Sequence, residues 1–133
     1  MDMTSPLRFG TDGVRGPAVQ FDDAWVAALG EAAARVLGAD ATSMVIARDT
    51  RESGTGIEAA LAAGIARAGL DAVSLGVAPT PCAAWVAAER AVPAAVISAS
   101  HNPWHDNGIK FFAVGGRKLS DDVEQALEAE IDR

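Results

Sequence analysis

The sequence predicts a three-layer α/β/α domain: a mixed, mostly parallel sheet with one antiparallel strand and helices on both faces. Three observations predict it. Apolar runs of strand length alternate with segments of helical periodicity between Ser43 and Ser98, and such alternation implies parallel strands joined by right-handed crossovers. The loop from Ala99 to Gly108 is too short and too polar to hold a crossover helix, so the apolar run Ile109 to Ala113 should run antiparallel to its predecessor. Loops rich in Gly, Ser and Asp follow the strands, at the end of the sheet where α/β proteins bind ligands.

The elements follow in chain order. Leu7-Arg-Phe9 reads as a short strand. Gly10-Thr-Asp-Gly-Val-Arg-Gly16, with three glycines in seven residues, is too Gly-rich for a helix or a central strand and reads as a loop carrying Asp12 and Arg15. Asp22 or Asp23 caps a helix whose buried stripe is Trp25, Leu29, Ala32 or Ala33, and Val36, and Gly38 ends it. Ser43-Met-Val-Ile-Ala47 is a strand. Arg48-Asp-Thr-Arg-Glu-Ser-Gly54 is a second polar loop, and its Ser53 caps a helix lined by Ile57, Leu61, Gly64/Ile65 and Ala68 and closed by Gly69. Asp71 to Leu75 is the next strand. Thr80 as N-cap and Pro81 at the first helical position start a helix that buries Ala84, Trp85 and Ala88. After the strand Val92 to Ser98 and the run Ile109 to Ala113, Gly115-Gly116 makes a tight hairpin turn with Lys118-Leu119 returning. Ser120 caps a last helix, in which Asp121 and Asp122 favour the positive end of the dipole and Val123, Leu127 and Ile131 form the stripe.

Composition narrows the class. With 133 residues the chain is one domain's worth, and a net charge of -7 argues against nucleic acid or an anionic membrane as partner. The single Cys82 cannot form an internal disulfide and has no Cys or His partner at zinc spacing, which fits a reducing cytoplasm and no zinc site. The first residues have neither the basic nor the apolar region of a signal peptide, and no apolar run has membrane-spanning length. Seven of the eleven Lys and Arg lie in or beside the polar loops: Arg8, Arg15, Arg48, Arg51, Lys110, Arg117 and Lys118. Two readings account for this equally, a small-anion site and the ordinary gathering of charge in solvated loops.

The most chemically loaded stretch runs from Val96 to Phe112 and holds two serines, two histidines and two asparagines. Parallel strands bring the loops after Ala47, Leu75 and Ser98 to one end, where Asp49, Arg51, Thr80, Ser100, His101 and Asn102 gather, with the glycine loop and Lys110 as further candidates. Ser100 is the candidate nucleophile. A serine hydroxyl needs a base or a metal to activate it, and neither an Asp partner nor a G-x-S-x-G elbow is evident, so a hydrolase fits poorly. Arg15 and Lys110 are cations suited to a phosphoryl group. A P-loop and a dinucleotide-binding glycine motif are both missing. Trp25 and Trp85 read as core, and Trp104 as exposed or bordering a partner.

Ile97-Ser-Ala-Ser-His-Asn-Pro103 with Asp106-Asn-Gly-Ile-Lys110 resembles the active-serine loop of the α-D-phosphohexomutases. Phe9-Gly-Thr-Asp-Gly-Val-Arg-Gly16 resembles that family's opening motif, and its Thr-Asp-Gly form is most similar to the phosphoglucosamine mutase branch. Arg48-Asp-Thr-Arg-Glu-Ser-Gly54 and Pro79-Thr80-Pro81 match two further signatures in order, so the similarity covers nearly the whole chain. Four motifs in register are far more specific than any one.

The resemblance implies a reaction: glucosamine 6-phosphate and glucosamine 1-phosphate interconvert through a phosphoserine and a bisphosphorylated intermediate. It implies that Ser100 carries the phosphoryl group. Strand alternation by itself leaves Ser98 and Ser100 on one face and does not choose between them. Lys110, Arg15 and His101 fall at catalytic positions; Thr11, Asp12, Gly13, Asp49, Arg51 and Asn102 fall in the phosphate vicinity. A lysine serves as a general base only where a neighbouring cation and partial desolvation favour its neutral form. Mg2+ is the implied cofactor, held by Ser100 through its phosphate and completed by a second domain, with a bisphosphorylated hexose as activator. Charge neutralisation by such an ion suits in-line phosphoryl transfer.

Ala47 departs from the Gly that family members commonly carry before Arg-Asp-Thr-Arg. The larger departure is one of extent. Residues 1–133 match the first of the family's four domains, so the other mutase domains become expected partners beside the hexose or hexosamine phosphate. The uncovered face of a lone domain would favour a homodimer. The alternatives are a non-catalytic phosphosugar-binding or assembly module, or the corresponding domain of a phosphoglucomutase or phosphomannomutase.

Overall fold

The computed structural model describes Leu7 and residues 13–131. Five strands make one sheet: β1 (Val14–Pro17), β2 (Ser43–Arg48), β3 (Asp71–Val77), β4 (Ala94–Ile97) and β5 (Asp106–Phe112). Four helices accompany them: α1 (Asp23–Leu37), α2 (Gly54–Arg67), α3 (Thr80–Arg90) and α4 (Asp121–Ile131). The spatial order is β1-β5-β4-β2-β3. β2 pairs parallel with β3 and β4, whereas β5 pairs antiparallel with β4 and β1. Only β5 therefore opposes the other strands, as the short polar loop before it requires.

Strand alternation divides the core in two. Met44 and Ile46 of β2, Ala95 and Ile97 of β4, and Ile109 and Phe111 of β5 face the larger layer, where Trp25 and Leu29 (α1), Ile57, Leu61 and Ile65 (α2) and Leu127 (α4) pack on them. Val45, Ala47, Ala94 and Val96 face the other way, onto Ala83 and Ala87 of α3. Burial of these side chains, at about 25 cal/mol per Å2 of apolar area, is the main force holding the layers.

The two largest helices meet backbone to backbone. A Cβ on Gly64 would lie 1.9 Å from the Ala27 carbonyl oxygen, and one on Gly30 would lie 2.5 Å from that of Leu61. Glycine at these two positions is what lets α1 and α2 approach so closely.

Several local expectations hold. Asp22 caps α1, its carboxylate accepting the Trp25 amide at 3.2 Å, and Gly38 ends the helix. Ser120 accepts the Val123 amide at 3.3 Å and starts α4. Others need correction. Val14–Pro17 is a strand and not loop: at the sheet edge it has one partner, β5, so Gly16 and Pro17 are tolerated there. Ser53 precedes α2 but makes no capping bond with its side chain, which is engaged elsewhere. Helix α3 starts one residue early, with Pro79 as its N-cap. Its buried stripe is Ala83 and Ala87, and Trp85 is 64% exposed. The facing strand residues include Ala47 and Ala94, and two helical alanines let α3 sit close on them while the indole turns to solvent. Gly115 and Gly116 form the tight turn, but the return is a single bridge, Ala113 to Arg117, and no strand follows. The expected strand at Leu7-Arg-Phe9 lies largely outside the described residues.

Two predictions follow from this packing. Gly64→Ala should lower stability by about 2 kcal/mol or more despite its better helix propensity, because the new methyl meets backbone; an unchanged urea midpoint would contradict the close contact. Trp25→Ala should cost roughly 3–5 kcal/mol, whereas Trp85→Gln should change the midpoint by less than about 0.5 kcal/mol equivalent. The reverse ranking would mean that α3 packs on the sheet through Trp85 and not through Ala83 and Ala87.

Candidate active site

The chain leaves β2 towards β3 and leaves β4 towards β5, so the loops following these adjacent parallel strands diverge. In open α/β sheets ligands bind at such a point, beyond the strand ends. The β2–α2 loop supplies Asp49 and Arg51 to it, and the β4–β5 loop supplies Ser98, Ser100, His101 and Asn102. The Asp49 amide donates to the Ile97 carbonyl at 3.0 Å, so the ladder extends one residue past β2 and carries the two loops out side by side.

The serine loop is a tight turn. The Asn102 amide donates to the Ala99 carbonyl at 3.0 Å, which places Ser100 and His101 at the two central positions. Of these two only Ser100 has a positive φ, 55°. That is the pattern of a type II′ turn, where glycine is the usual first central residue. A side chain held there costs on the order of 1–3 kcal/mol, and such strain concentrates at functional sites.

Arg51 reaches across from the neighbouring loop. Its Nη2 donates to the carbonyls of Ser100, at 3.2 Å, and Asn102, at 2.7 Å. Its Nη1 donates to Asp49 Oδ2, and its backbone amide to Asp49 Oδ1 at 3.1 Å. The Arg51 side chain is only 12% exposed. On the other side of Ser100, its amide donates to Ser98 Oγ at 3.0 Å. The two serines are thus unlike: Ser98 holds backbone, while Ser100 stands exposed at the tip.

The floor beside the loop comes from β5 and β1. Arg15 pairs with Gly108 and Val14 with Ile109, so the buried side of Val14 leaves Arg15 on the α3 face of the sheet. Lys110 lies opposite Val96 on that face, with its ammonium 5.4 Å from the centre of the Phe112 ring. Gly108 lies between Ser98 and Arg15, and a Cβ there would meet the Ser98 carbonyl at 2.7 Å and Arg15 Cγ at 3.0 Å. The missing side chain lets Arg15 lie across the strand. Gly13, at φ +80°, comes so near that a Cβ would be 2.0 Å from the Ile109 carbonyl oxygen. The Asn102 amide group donates to Asp106 Oδ2 at 3.2 Å. His101 is exposed, and Thr80 begins α3 at the same end. Thr11 and Asp12 lie outside the described residues.

Asn107 was not singled out from sequence, yet it is the one buried polar residue among those described, at 0% exposure. Its side-chain nitrogen donates to Ser53 Oγ at 2.8 Å and its oxygen accepts the Gly108 amide at 2.9 Å. It thereby ties the start of α2 to β5. The signal was the Asn-Gly pair itself, which sits where a central strand has no need of one. Among the described residues no group of three or more His, Cys, Asp and Glu side chains is placed to hold a metal ion. By themselves they do not form a magnesium site.

Comparison with known proteins gives the chain's family. The model of the phosphoglucomutase/phosphomannomutase alpha/beta/alpha domain I matches residues 6–133. The phosphoglucosamine mutase of Deinococcus radiodurans is 52% identical over 98% of this chain and 30% of its own length. That of Vibrio atlanticus is 52% identical over 94% of this chain and 29% of its own. A phosphoglucomutase/phosphomannomutase family protein from Burkholderia thailandensis superposes with a TM-score of 0.80 at 31% identity, over 93% of this chain and 29% of that one. The chain thus spans about 30% of the length of the relatives it matches. It belongs to the phosphoglucomutase/phosphomannomutase family, and its residues 6–133 are that family's α/β/α domain I.

Proposed function

We propose that this chain supplies the phosphoryl-carrying serine of a phosphoglucosamine mutase, with Ser100 as the carrier. The observation that carries the proposal is the exposed Ser100 in a left-handed turn beyond the end of β4. The 52% identity to proteins named phosphoglucosamine mutase supports glucosamine phosphates over other hexose phosphates.

In the forward half-reaction a sugar hydroxyl attacks the phosphorus of phosphorylated Ser100. The bond between phosphorus and Ser100 Oγ breaks, and the hydroxyl proton passes to a base. The sugar then carries two phosphates, turns over, and returns the other one to Ser100. Arg15, on the sheet face beside the loop, is the proposed cation for the moving phosphoryl group, and Lys110, on the same face, is the proposed base. His101, next to Ser100, is proposed to contact the same group. A magnesium ion would offset the charge of the phosphoserine, and it would need carboxylates beyond the described residues. Turnover is proposed to require more of the mutase than these 133 residues.

The intact mass of the purified chain, before and after incubation with glucose 1,6-bisphosphate and Mg2+, tests the central claim. A gain of one phosphoryl group that maps to Ser100 and is lost in Ser100→Ala is the expected result. A gain mapping to Ser98 would overturn the assignment. Conversion of glucosamine 6-phosphate is expected only when the remainder of a full-length mutase is added in trans. Restored conversion that survives Ser100→Ala would show that this chain is an assembly module and not the phosphoryl carrier.

A further inference from the structure

We infer that Arg51 and Ser98 are positioning residues that fix both peptide planes flanking Ser100, and that Arg51 is not a phosphate ligand. The inference rests on Ser100 being the phosphoryl carrier. The direction in which a side chain leaves the backbone is set by φ and ψ of its own residue. At Ser100 each dihedral has its own restraint. The amide on its N-terminal side is held by Ser98 Oγ at 3.0 Å, and the carbonyl on its C-terminal side by Arg51 Nη2 at 3.2 Å. The same Nη2 holds the Asn102 carbonyl at 2.7 Å, which fixes the far end of the turn.

Arg51 is itself held at two points by one carboxylate. Asp49 accepts the Arg51 amide through Oδ1 and Nη1 through Oδ2. With Nη1 on Asp49 and Nη2 on two carbonyls, the guanidinium faces backbone and carboxylate; Nε has no partner but is buried, and with 12% of the side chain exposed little of the group is open to an incoming phosphate. A planar fork holds its donors apart and in fixed directions, as bridging a carboxylate and two carbonyls requires here, whereas the three donors of a lysine share one nitrogen on a flexible stem. Reacting groups need this kind of placement, because a misplacement of about 1 Å can cost on the order of a hundredfold in rate.

Amide exchange in the 15N-labelled 133-residue chain decides the structural half. Arg51→Lys and Ser98→Ala should each speed exchange of the Ser100 and Asn102 amides by about tenfold, the worth of one hydrogen bond. The β2 amides, such as Val45 on the Pro93 carbonyl, and the urea midpoint should stay near wild type. Ser98→Thr keeps a hydroxyl and should restore protection. Unchanged exchange at Ser100 in Arg51→Lys would overturn the inference, as would a uniform loss across the sheet. Should Arg51→Lys fail to fold, Asp49→Asn makes the same test by removing the charge that orients the guanidinium.

Phosphoryl uptake from glucose 1,6-bisphosphate with Mg2+, followed by intact mass, gives the chemical half. In Arg51→Lys the rate at saturating donor should fall by about tenfold or more, while the half-saturating donor concentration stays put. A rise in that concentration at unchanged maximal rate would make Arg51 a phosphate ligand and overturn the inference. If the wild-type chain takes up no phosphoryl group, the functional reading of the isolated chain fails, and the exchange data still judge whether the turn is pinned.

Discussion

The geometry at the end of this sheet depends on one guanidinium. A tight turn with a non-glycine residue at positive φ does not hold itself, because its single internal bond, from the Asn102 amide to Ala99, leaves the carbonyls of Ser100 and Asn102, among others, without partners in the turn. Arg51 takes these two and is anchored through Asp49 to a loop that springs from an interior strand of the sheet. The anchor matters because β2 is paired on both sides, and its residues Met44 to Ala47 are buried. Rigidity therefore passes from a buried interior strand, through a carboxylate and a guanidinium, to an exposed serine. A charge-assisted bond of this kind is roughly twice as strong as a neutral one.

The antiparallel strand has the complementary task of clearing ground. β5 presents a glycine at the register position between Ser98 and Arg15, and beyond it Lys110 lies on the same side of the sheet. The preceding Asn107 points the other way and ties the strand to the start of α2 through Ser53. One short segment thus alternates a brace, a gap and a cation. The pleat gives the alternation for nothing more than residue order.

Much of this was legible before any coordinates. The strand and helix order, the single reversed strand and the capping by Asp22 and Ser120 all follow from patterns two to five residues long, which local rules capture. The motifs also identified which loops matter. What could not be read was partnership. Ser53 has the form of a capping residue and serves Asn107 instead. Arg51 has the form of a surface cation in a polar loop and bonds to residues 49 and 51 positions away. The phase of α3 is hidden for a related reason: Trp85 has the size and apolarity of a core residue, but a sheet face lined by Ala47 and Ala94 favours close approach of small residues. The edge strand β1 was hidden by its glycines, since nothing local distinguishes a Gly-rich loop from a Gly-rich strand that needs a partner on one side only.

The left-handed backbone at position 100 sets fold and chemistry against each other. Ala91, the other non-glycine residue at positive φ among those described, ends a helix, where that conformation is a common way to stop. No such local logic applies at 100. The residue best suited to that backbone is glycine, and the proposed transfer needs a hydroxyl. A population of variants selected for thermal resistance alone should therefore drift towards Gly at this site and lose the proposed phosphoryl carrier while gaining robustness. Retention of serine in descendants of this sequence would be a mark of selection for the proposed transfer, readable without an assay.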